Sequence, residues 1–301
     1  MNVVTGAFGY TGKYIARRLL DMGETVTTLT GNPGRASEFG AAVKAIPFHF
    51  EEPEAMAASL SGARVLYNTY WVRFDRRDAT HDRAVKNTIA LIRAAKMAGV
   101  QRIVHISITN PSLESALPYF RGKALLEEEV QRSNISYAIV RPTVIFGRED
   151  ILINNIAYLL RKLPAFVVPG SGQYLLQPVF VEDVARIAVE AGGVRENAIV
   201  DAVGPETFHF AQLVRLVADT LGSRARLLHG PPWLALLAAR MLGLALSDVL
   251  LTRDELAGLM AGLLVSDRSP TGQTRFSDWI SANSATLGQR YASEIGRHYF
   301  V

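Results

Sequence analysis

The chain has 301 residues, of which 49% are hydrophobic and 20% charged. That suits one large core with an appended lobe and excludes intrinsic disorder for most of its length. Lys and Arg number 32 against 28 Asp and Glu. The densest basic stretch, 73–83, is interleaved with Asp75, Asp78 and Asp82, a solvated face that argues against a nucleic-acid partner. Cysteine is absent, which removes disulfides, thiol nucleophiles and zinc–thiolate sites, and the scattered His carry no metal-ligand spacing, so no metal is expected.

The chain opens on Met1-Asn2-Val3-Val4, with no basic region leading into an apolar run. No signal peptide is expected, and the default location is cytoplasmic. Short runs rich in Val, Ile, Leu and Thr at 3–5, 25–30, 43–48, 63–69, 102–107 and 136–140 read as strands. Between them, 10–22, 53–60, 78–98 and 119–131 repeat apolar residues at helical spacing. Repeated β-α units with continuously apolar strands predict an α/β fold, a doubly wound parallel (Rossmann) sheet covered by helices on both faces.

After Arg141-Pro142 the rhythm changes. Segment 143–180 carries many Pro and Gly and reads as loop-rich with short strands. A helix over 182–191, a strand over 198–202 and a helix over 208–221 follow, and from Pro231 the chain reads as helical. The predicted division is a Rossmann core over 1–145 and a smaller, mainly helical C-terminal lobe over 146–301, interleaved with the core because 183–205 returns to the sheet. Segment 233–246 is the most membrane-like. It is shorter than the ~20 apolar residues of a span and contains Arg240, so it reads as a packed or interfacial helix, and peripheral membrane contact stays open. Thr252 followed by Glu255 is a capping-box pattern that starts another helix. Both a monomer and a homodimer are compatible with the chain.

The strongest local signal is Gly6-Ala7-Phe8-Gly9-Tyr10-Thr11-Gly12, between the first strand and the first helix. Gly6 permits a tight turn out of the strand. Gly9 lets backbone approach a pyrophosphate at the helix N-terminus, and Gly12 lets the helix pack close to the sheet. Gly6, Phe8, Gly9, Tyr10, Thr11 and Gly12 are therefore candidate cofactor contacts. An acidic residue about 20 positions past the glycines normally holds the adenine ribose of NAD. Here Gly31 stands at that place, followed by Asn32 and Arg35, with no Asp or Glu from 25 to 35. Missing charge tolerates a 2′-phosphate, so NADP (NADPH) is favoured and NAD remains possible. Open parallel sheets bind ligands at the carboxyl edge, which brings in Asn68, Thr69 and Tyr70 after the fourth strand and Arg141, Pro142 and Val144 after the sixth.

Tyr119-Phe120-Arg121-Gly122-Lys123 places Tyr119 and Lys123 at i and i+4, on one helix face. A free Tyr has a pKa of about 10, and a nearby ammonium stabilises its phenolate. The pair follows a strand that ends His105-Ile106-Ser107-Ile108-Thr109. Trp71, Phe74, Phe146, Tyr174 and Trp233 could wall a pocket or fill the core, and Arg73 and Arg121 could meet an anionic substrate or solvent.

The glycine spacing with Thr5 before it resembles the short-chain dehydrogenase/reductase superfamily, in its extended and atypical branches. Four stretches, 67–74 (YNTYWVRF), 107–111 with 118–123 (SITNP and PYFRGK), 141–147 (RPTVIFG) and 177–184 (QPVFVEDV), narrow the resemblance. They resemble the branch that includes the nucleotide-binding accessory subunit of respiratory complex I and related bacterial reductase-like proteins. The resemblance implies that Lys123 also binds the nicotinamide ribose, that Tyr119 exchanges a proton with the substrate oxygen, and that Ser107 or Thr109 orients that oxygen. It places Ile106 and Ser107 beside the cofactor and the 141–144 loop against the nicotinamide. His49, with Phe50 beside it, stands where relatives carry an Asp near the adenine, and Asn87 where they often keep an Asn. Gly31 stands where NADP-using relatives commonly carry an Arg, with Arg35 the nearest substitute. Three functions follow from the resemblance. One is an NAD(P)-dependent oxidoreductase, or an epimerase or dehydratase using transient oxidation, acting on a hydroxyl or carbonyl group. A second is a non-catalytic NADPH-binding accessory or assembly protein, and a third is a redox-sensing regulator. The Tyr119/Lys123 pair argues against the third.

Overall fold

The alternation of apolar runs and helical repeats sets the architecture. The computed structural model describes residues 1–298. In chain order the elements begin with β1 (Asn2–Thr5), α1 (Tyr10–Asp21), β2 (Val26–Thr30), β3 (Val43–Pro47) and α2 (Pro53–Ser59). Next come β4 (Val65–Asn68), α3 (His81–Met97), β5 (Arg102–Ile106), α4 (Pro118–Arg132) and β6 (Ser136–Pro142). They continue with β7 (Val144–Phe146), α5 (Leu152–Lys162), β8 (Ala165–Pro169), β9 (Leu175–Leu176), β10 (Pro178–Phe180), α6 (Val181–Gly193) and β11 (Ala198–Ala202). The remainder is β12 (Phe208–His209), α7 (Phe210–Thr220), β13 (Arg226–Gly230), α8 (Pro232–Leu246), α9 (Arg253–Met260), α10 (Phe276–Asn283) and α11 (Glu294–His298). Two compact units result: Met1–Pro142 with Val181–Ala202, and Thr143–Phe180 with the chain from Val203 onward.

In the first unit, seven strands among the described residues pair in parallel in the order β11-β6-β5-β4-β1-β2-β3. This is the doubly wound α/β sheet expected from the alternation. β1, β2, β4 and β5 are buried along their whole length, which is why they read as unbroken apolar runs rather than alternating ones. Helices α1 and α6 pack together, and α3 packs with both α2 and α4. Val3, Leu29, Met56, Leu66, Leu91, Ile103 and Ile139 form one buried cluster between sheet and helices. Strand order reverses between β1 and β4, and a crevice outside the carboxyl ends of strands at such a reversal is where open α/β sheets take ligands.

The second unit is built on short strand pairs, β7 with β10 and β8 with β13 in parallel and β9 with β12 antiparallel. Its core gathers Phe146, Ile153, Leu160, Leu213, Val217, Phe276 and Ile280. Phe146 lies edge-on to Phe276 and Trp279, an arrangement that the ring quadrupole favours.

Four local expectations are corrected. α3 starts at His81 rather than 78, because Arg76 and Ala79 exchange backbone bonds in a turn and the Thr80 hydroxyl caps Arg83 N–H at 3.1 Å. Segment 143–180 holds an 11-residue helix, α5; the surrounding Pro and Gly obscured the Ile153, Ile156, Ala157, Leu160 repeat. Asp150 accepts from Ile153 N–H at 2.6 Å at its start, and burial raises that carboxyl to about 6. The helix expected from 208 begins at Phe210, its first residues pairing as β12. β13, just before the helical region, reads too polar for a strand and pairs with β8 as an edge. The expected capping box at Thr252 and Glu255 is present.

Arg102 ties the returning segment 181–202 to the sheet. Its Nε donates to Ala191 O at 2.8 Å and its Nη2 to Glu196 O at 3.0 Å, with Ser136 Oγ also in contact. The side chain is buried, and desolvation lowers its pKa. Arg102→Met is expected to strand these carbonyls and destabilise the protein by about 3 kcal/mol in chemical denaturation. A loss below about 0.5 kcal/mol, the level of an ordinary surface change, would contradict the role.

Candidate functional site

The glycine loop is shaped by one close approach. Gly6 has φ +64°, and its N–H donates to Leu29 O at 2.8 Å, so the chain leaves β1 in a left-handed turn. A Cβ on Gly12 would lie 2.3 Å from Gly6 O and 3.1 Å from Thr5 O, so only glycine brings α1 this close to β1. Gly9 is the N-cap of α1; no side chain caps the helix, and its first turn holds no acidic residue. The amides of Tyr10, Thr11 and Gly12 therefore head the helix dipole, as an anion site requires. Phe8 is half-buried beside them.

Beneath the loop, Thr5, Asn68 and His105 form a fixed polar chain. Thr5 Oγ1 accepts from Thr69 N–H at 2.7 Å and Tyr70 N–H at 3.0 Å and donates to Asn68 Oδ1 at 3.1 Å. Asn68 Oδ1 also accepts from Tyr70 N–H, which leaves its Nδ2 to donate to His105 Nδ1 at 3.0 Å. The His105 proton then sits on Nε2, which is buried without a partner among the described residues. Burial, reinforced by the Lys123 charge, pushes the imidazole pKa well below 6.5, so His105 is neutral. Thr69 closes the turn by donating to Thr5 O at 2.5 Å.

On the other side of the loop, β2 ends at Thr30. Asn32 N–H donates to Thr30 Oγ1 at 3.3 Å, and Arg35 N–H to Asn32 O at 3.2 Å. Gly31 is exposed with nothing within 4 Å of an added Cβ, and Arg35 is exposed. Of the two flanking acids, Glu24 lies at the amino end of β2, bound to Asn2 at 2.8 Å and Arg64 at 3.1 Å, on the edge opposite the loop, and Glu38 accepts from Arg17 Nε at 3.1 Å. After β3, Phe50 stacks on Phe48, and both pack on Tyr70. Tyr70 OH accepts from Asn87 Nδ2 at 2.9 Å, which joins two of the expected residues. His49 is half-buried with Glu52 3.8 Å away.

The tyrosine–lysine face comes from α4. Lys123 is buried, and its Nζ donates to Ile106 O at 2.7 Å and lies 4.5 Å from the Trp71 ring centroid. Tyr119 is half-buried and edge-on to the same indole at 5.5 Å, with His81 at 5.8 Å. Gly122 makes the packing possible, since a Cβ there would lie 2.8 Å from Trp71. Burial pushes Lys123 down to about 7, and the Glu127 carboxylate opposes the shift.

The two candidate hydroxyls differ sharply. Ser107 donates to Glu127 Oε1 at 2.5 Å, and Arg141 closes on the same carboxylate with Nε at 2.9 Å and Nη2 at 2.5 Å. Glu127 is buried, so this bidentate pair is shielded from solvent on the acid's side. Thr109 is fully buried and its N–H donates to Pro142 O at 3.0 Å, yet its hydroxyl has no partner among the described residues. Arg141 and Pro142 belong to β6 rather than to a loop after it, while Val144 begins β7 in the second unit. Phe74 and Phe146 are core residues, Tyr174 stacks on Phe210, and Trp233 is exposed. Arg121 is exposed with its guanidinium on Ser115 O.

Glu127 was missed from the sequence, although its i+4 spacing from Lys123 is a readable signal. The Asn68–His105 pairing and the seat of Trp71 over Lys123 needed the tertiary structure. With a glycine cradle, an uncapped helix start and open space at Gly31, the residues present fit a dinucleotide.

Comparison with known proteins agrees. Residues 6–152 match a family model described as NAD(P)H-binding. The chain is 28% identical over 72% of its length to subunit 9 of the NADH dehydrogenase [ubiquinone] 1 alpha subcomplex from Arabidopsis thaliana, covering 57% of that protein. It is 27% identical over 76% of its length to the photosystem II assembly factor Ycf39 of Cyanophora paradoxa, covering 71% of it. The chain thus spans just over half the length of the mitochondrial subunits that it matches. In fold it is similar to the NADPH-dependent quinone oxidoreductase of Escherichia coli, with a TM-score of 0.75 at 20% identity over 95% of this chain and 99% of that one. A nucleoside-diphosphate-sugar epimerase from Staphylococcus aureus gives 0.72 at 16% identity over 97% and 99%. The chain thus carries a Rossmann domain that matches an NAD(P)H-binding family model, and the resemblance to atypical short-chain dehydrogenase/reductases is borne out.

Between pH 7 and 10 the unfolded chain keeps a proton on Lys123 that the folded chain has released, so stability rises with pH across that window. The stability of the wild type relative to Lys123→Met is expected to climb from pH 7 toward 10 in urea denaturation. A difference that stays flat would contradict the burial of this amine. Ser107→Ala leaves Glu127 one donor short and is expected to cost about 1–3 kcal/mol, whereas Thr109→Val removes no side-chain hydrogen bond among the described residues and is expected to fold with the stability of the wild type.

Proposed function

We propose that this chain is an NADPH-dependent oxidoreductase acting on a carbonyl or hydroxyl group of a small molecule. The observation that carries the proposal is the shared face of Tyr119 and Lys123, one helical turn apart against a single indole, with the Lys123 amine hydrogen-bonded to the end of β5. The NAD(P)H-binding match over residues 6–152 supports the cofactor half of the reading.

In this reading the amides of Tyr10, Thr11 and Gly12 hold the pyrophosphate at the start of α1, where the dipole favours an anion, and Gly9 has no side chain to block its approach. Asn32 and Arg35 face the adenine ribose, with Gly31 leaving room for a 2′-phosphate. Phe50, Tyr70 and Asn87, with His49 nearby, border the adenine side, and Asn68 and Thr69 line the edge at β4. The bound nicotinamide supplies or accepts the hydride. Tyr119 gives the substrate oxygen a proton in reduction and takes it back in oxidation. Lys123, when protonated, lowers the cost of the phenolate, and a lysine near neutrality can also bind the ribose hydroxyls. Thr109 is the oxygen-orienting donor, because its hydroxyl is buried and uncommitted. Ser107 is a positioning residue, since Glu127 already holds it. Arg141, with Ile106 and Pro142, frames this end of the sheet, and Val144 follows in the next strand.

A second reading is favoured by the relatives. One is named as a subunit of an NADH dehydrogenase and another as an assembly factor. In that reading NADPH is held and not consumed, and the chain serves a protein partner.

Turnover separates the two. The oxidoreductase reading predicts NADPH oxidation with a carbonyl substrate from a quinone and aldehyde panel. Tyr119→Phe should then slow it at least about 100-fold, the scale of a lost general acid, with NADPH affinity unchanged. Bound NADPH that no substrate consumes would favour the accessory reading, and equal turnover by Tyr119→Phe would remove the proposed acid.

A further inference from the structure

The helix α8 is built inside out. Its buried residues are Ala235 and Gly243, while Trp233 is 63% exposed, Leu237 48%, Met241 61% and Leu244 71%. Those four fall at i, i+4, i+8 and i+11, one face of a helix. The orientation is forced, because α8 packs on β8 and a Cβ on Gly243 would lie 2.6 Å from Asp248 O. The small residues must face inward, and the large apolar ones are left to the outside.

We propose that this face docks on the surface of an anionic lipid bilayer, with α8 lying in the plane of the headgroups. Its side chains favour lipid over protein. Apart from the Trp233 indole and Arg240, the outward face offers no hydrogen-bonding side chain, whereas protein interfaces carry regular polar pairing. Trp233 stands at the first turn, and indoles favour the boundary between headgroups and acyl chains. Fifteen residues make a helix of about 22 Å, short of the ~30 Å hydrocarbon core. Among the described residues no helix is long and apolar enough to cross a membrane, so α8 would lie on the bilayer rather than span it.

Charge points the same way. From 224 to 247 the chain holds Arg224, Arg226 and Arg240, all exposed, and no Asp or Glu. The next acid, Asp248, is buried, and its carboxylate accepts from the N–H groups of Val249 and Glu294 at 2.8 Å and Ile295 at 3.2 Å. It therefore does not offset the three cations at the surface. An apolar helix face on a stretch with three exposed cations and no acid from 224 to 247 matches an anionic leaflet.

The test is flotation of the full chain with vesicles of phosphatidylcholine alone and of phosphatidylcholine mixed with phosphatidylglycerol. The mixed vesicles should carry the protein to the top of the gradient and blue-shift its tryptophan emission, a shift that Trp233→Phe removes. The double variant Leu237→Asp/Leu244→Asp should reduce flotation by about tenfold or more with an unchanged melting temperature. Arg240→Glu should abolish the preference for the anionic vesicles. A chain that stays in the aqueous fractions with both vesicles overturns the proposal. So does a dimer in sedimentation that the double variant dissociates, since the face would then belong to a second copy.

Discussion

The carbonyl of Gly6 and the Cα of Gly12 approach so closely that a methyl group between them would sit 2.3 Å from the oxygen. This contact holds α1 against β1. With the left-handed turn at Gly6, it aims the helix start at the sheet edge beside the strand-order reversal. The same turn presents Thr5, whose hydroxyl organises Asn68, Thr69 and Tyr70, and through Asn68 it reaches His105 on β5. One steric requirement thus sets the geometry across three adjacent strands. A larger residue at 12 would displace the helix and the strand ends together.

Buried charge organises the neighbouring end of the sheet. A single carboxylate, Glu127, accepts from Ser107 and both forks of Arg141, and it also opposes the desolvation of Lys123 one turn away. His105 stays neutral beside that lysine because a second buried cation would be costly. Among the described residues, the buried side-chain atoms without a partner at this end include Thr109 Oγ1, His105 Nε2, His81 Nε2 and the Trp71 indole N–H. Buried polar atoms ordinarily find partners, so these atoms depart from the usual satisfaction. The uncommitted hydroxyl of Thr109, set against the committed one of Ser107, distinguishes two residues that spacing alone left equivalent.

Much of this was legible in the sequence for local reasons. The buried strands are unbroken apolar runs, and the glycines, the 252–255 capping box and the Tyr119/Lys123 spacing each encode their geometry within a few residues. Legibility failed where the decisive contact is distant or the local signal is mixed. α5 is hidden among prolines and glycines, and β13 is an edge whose exposed Arg226, Leu228 and His229 blur the pattern. The hold of Glu127 on Ser107 joins residues 20 positions apart. The outward turn of α8 was unreadable for a sharper reason. Its sequence is apolar on nearly every side, and only the close approach of Gly243 to Asp248 decides which side faces in.

The glycine cradle must hold a dinucleotide for Tyr119 and Lys123 to act beside one. An equilibrium titration of the purified chain with NADPH and with NADH, followed by cofactor fluorescence, tests this most directly. Saturable NADPH binding at about micromolar concentration or below, weaker NADH binding, and loss of the difference in Arg35→Glu, a change at an exposed position, are the expected results. Failure of the wild-type protein to bind either nucleotide, with its secondary structure and melting transition intact, would contradict this role of the cradle.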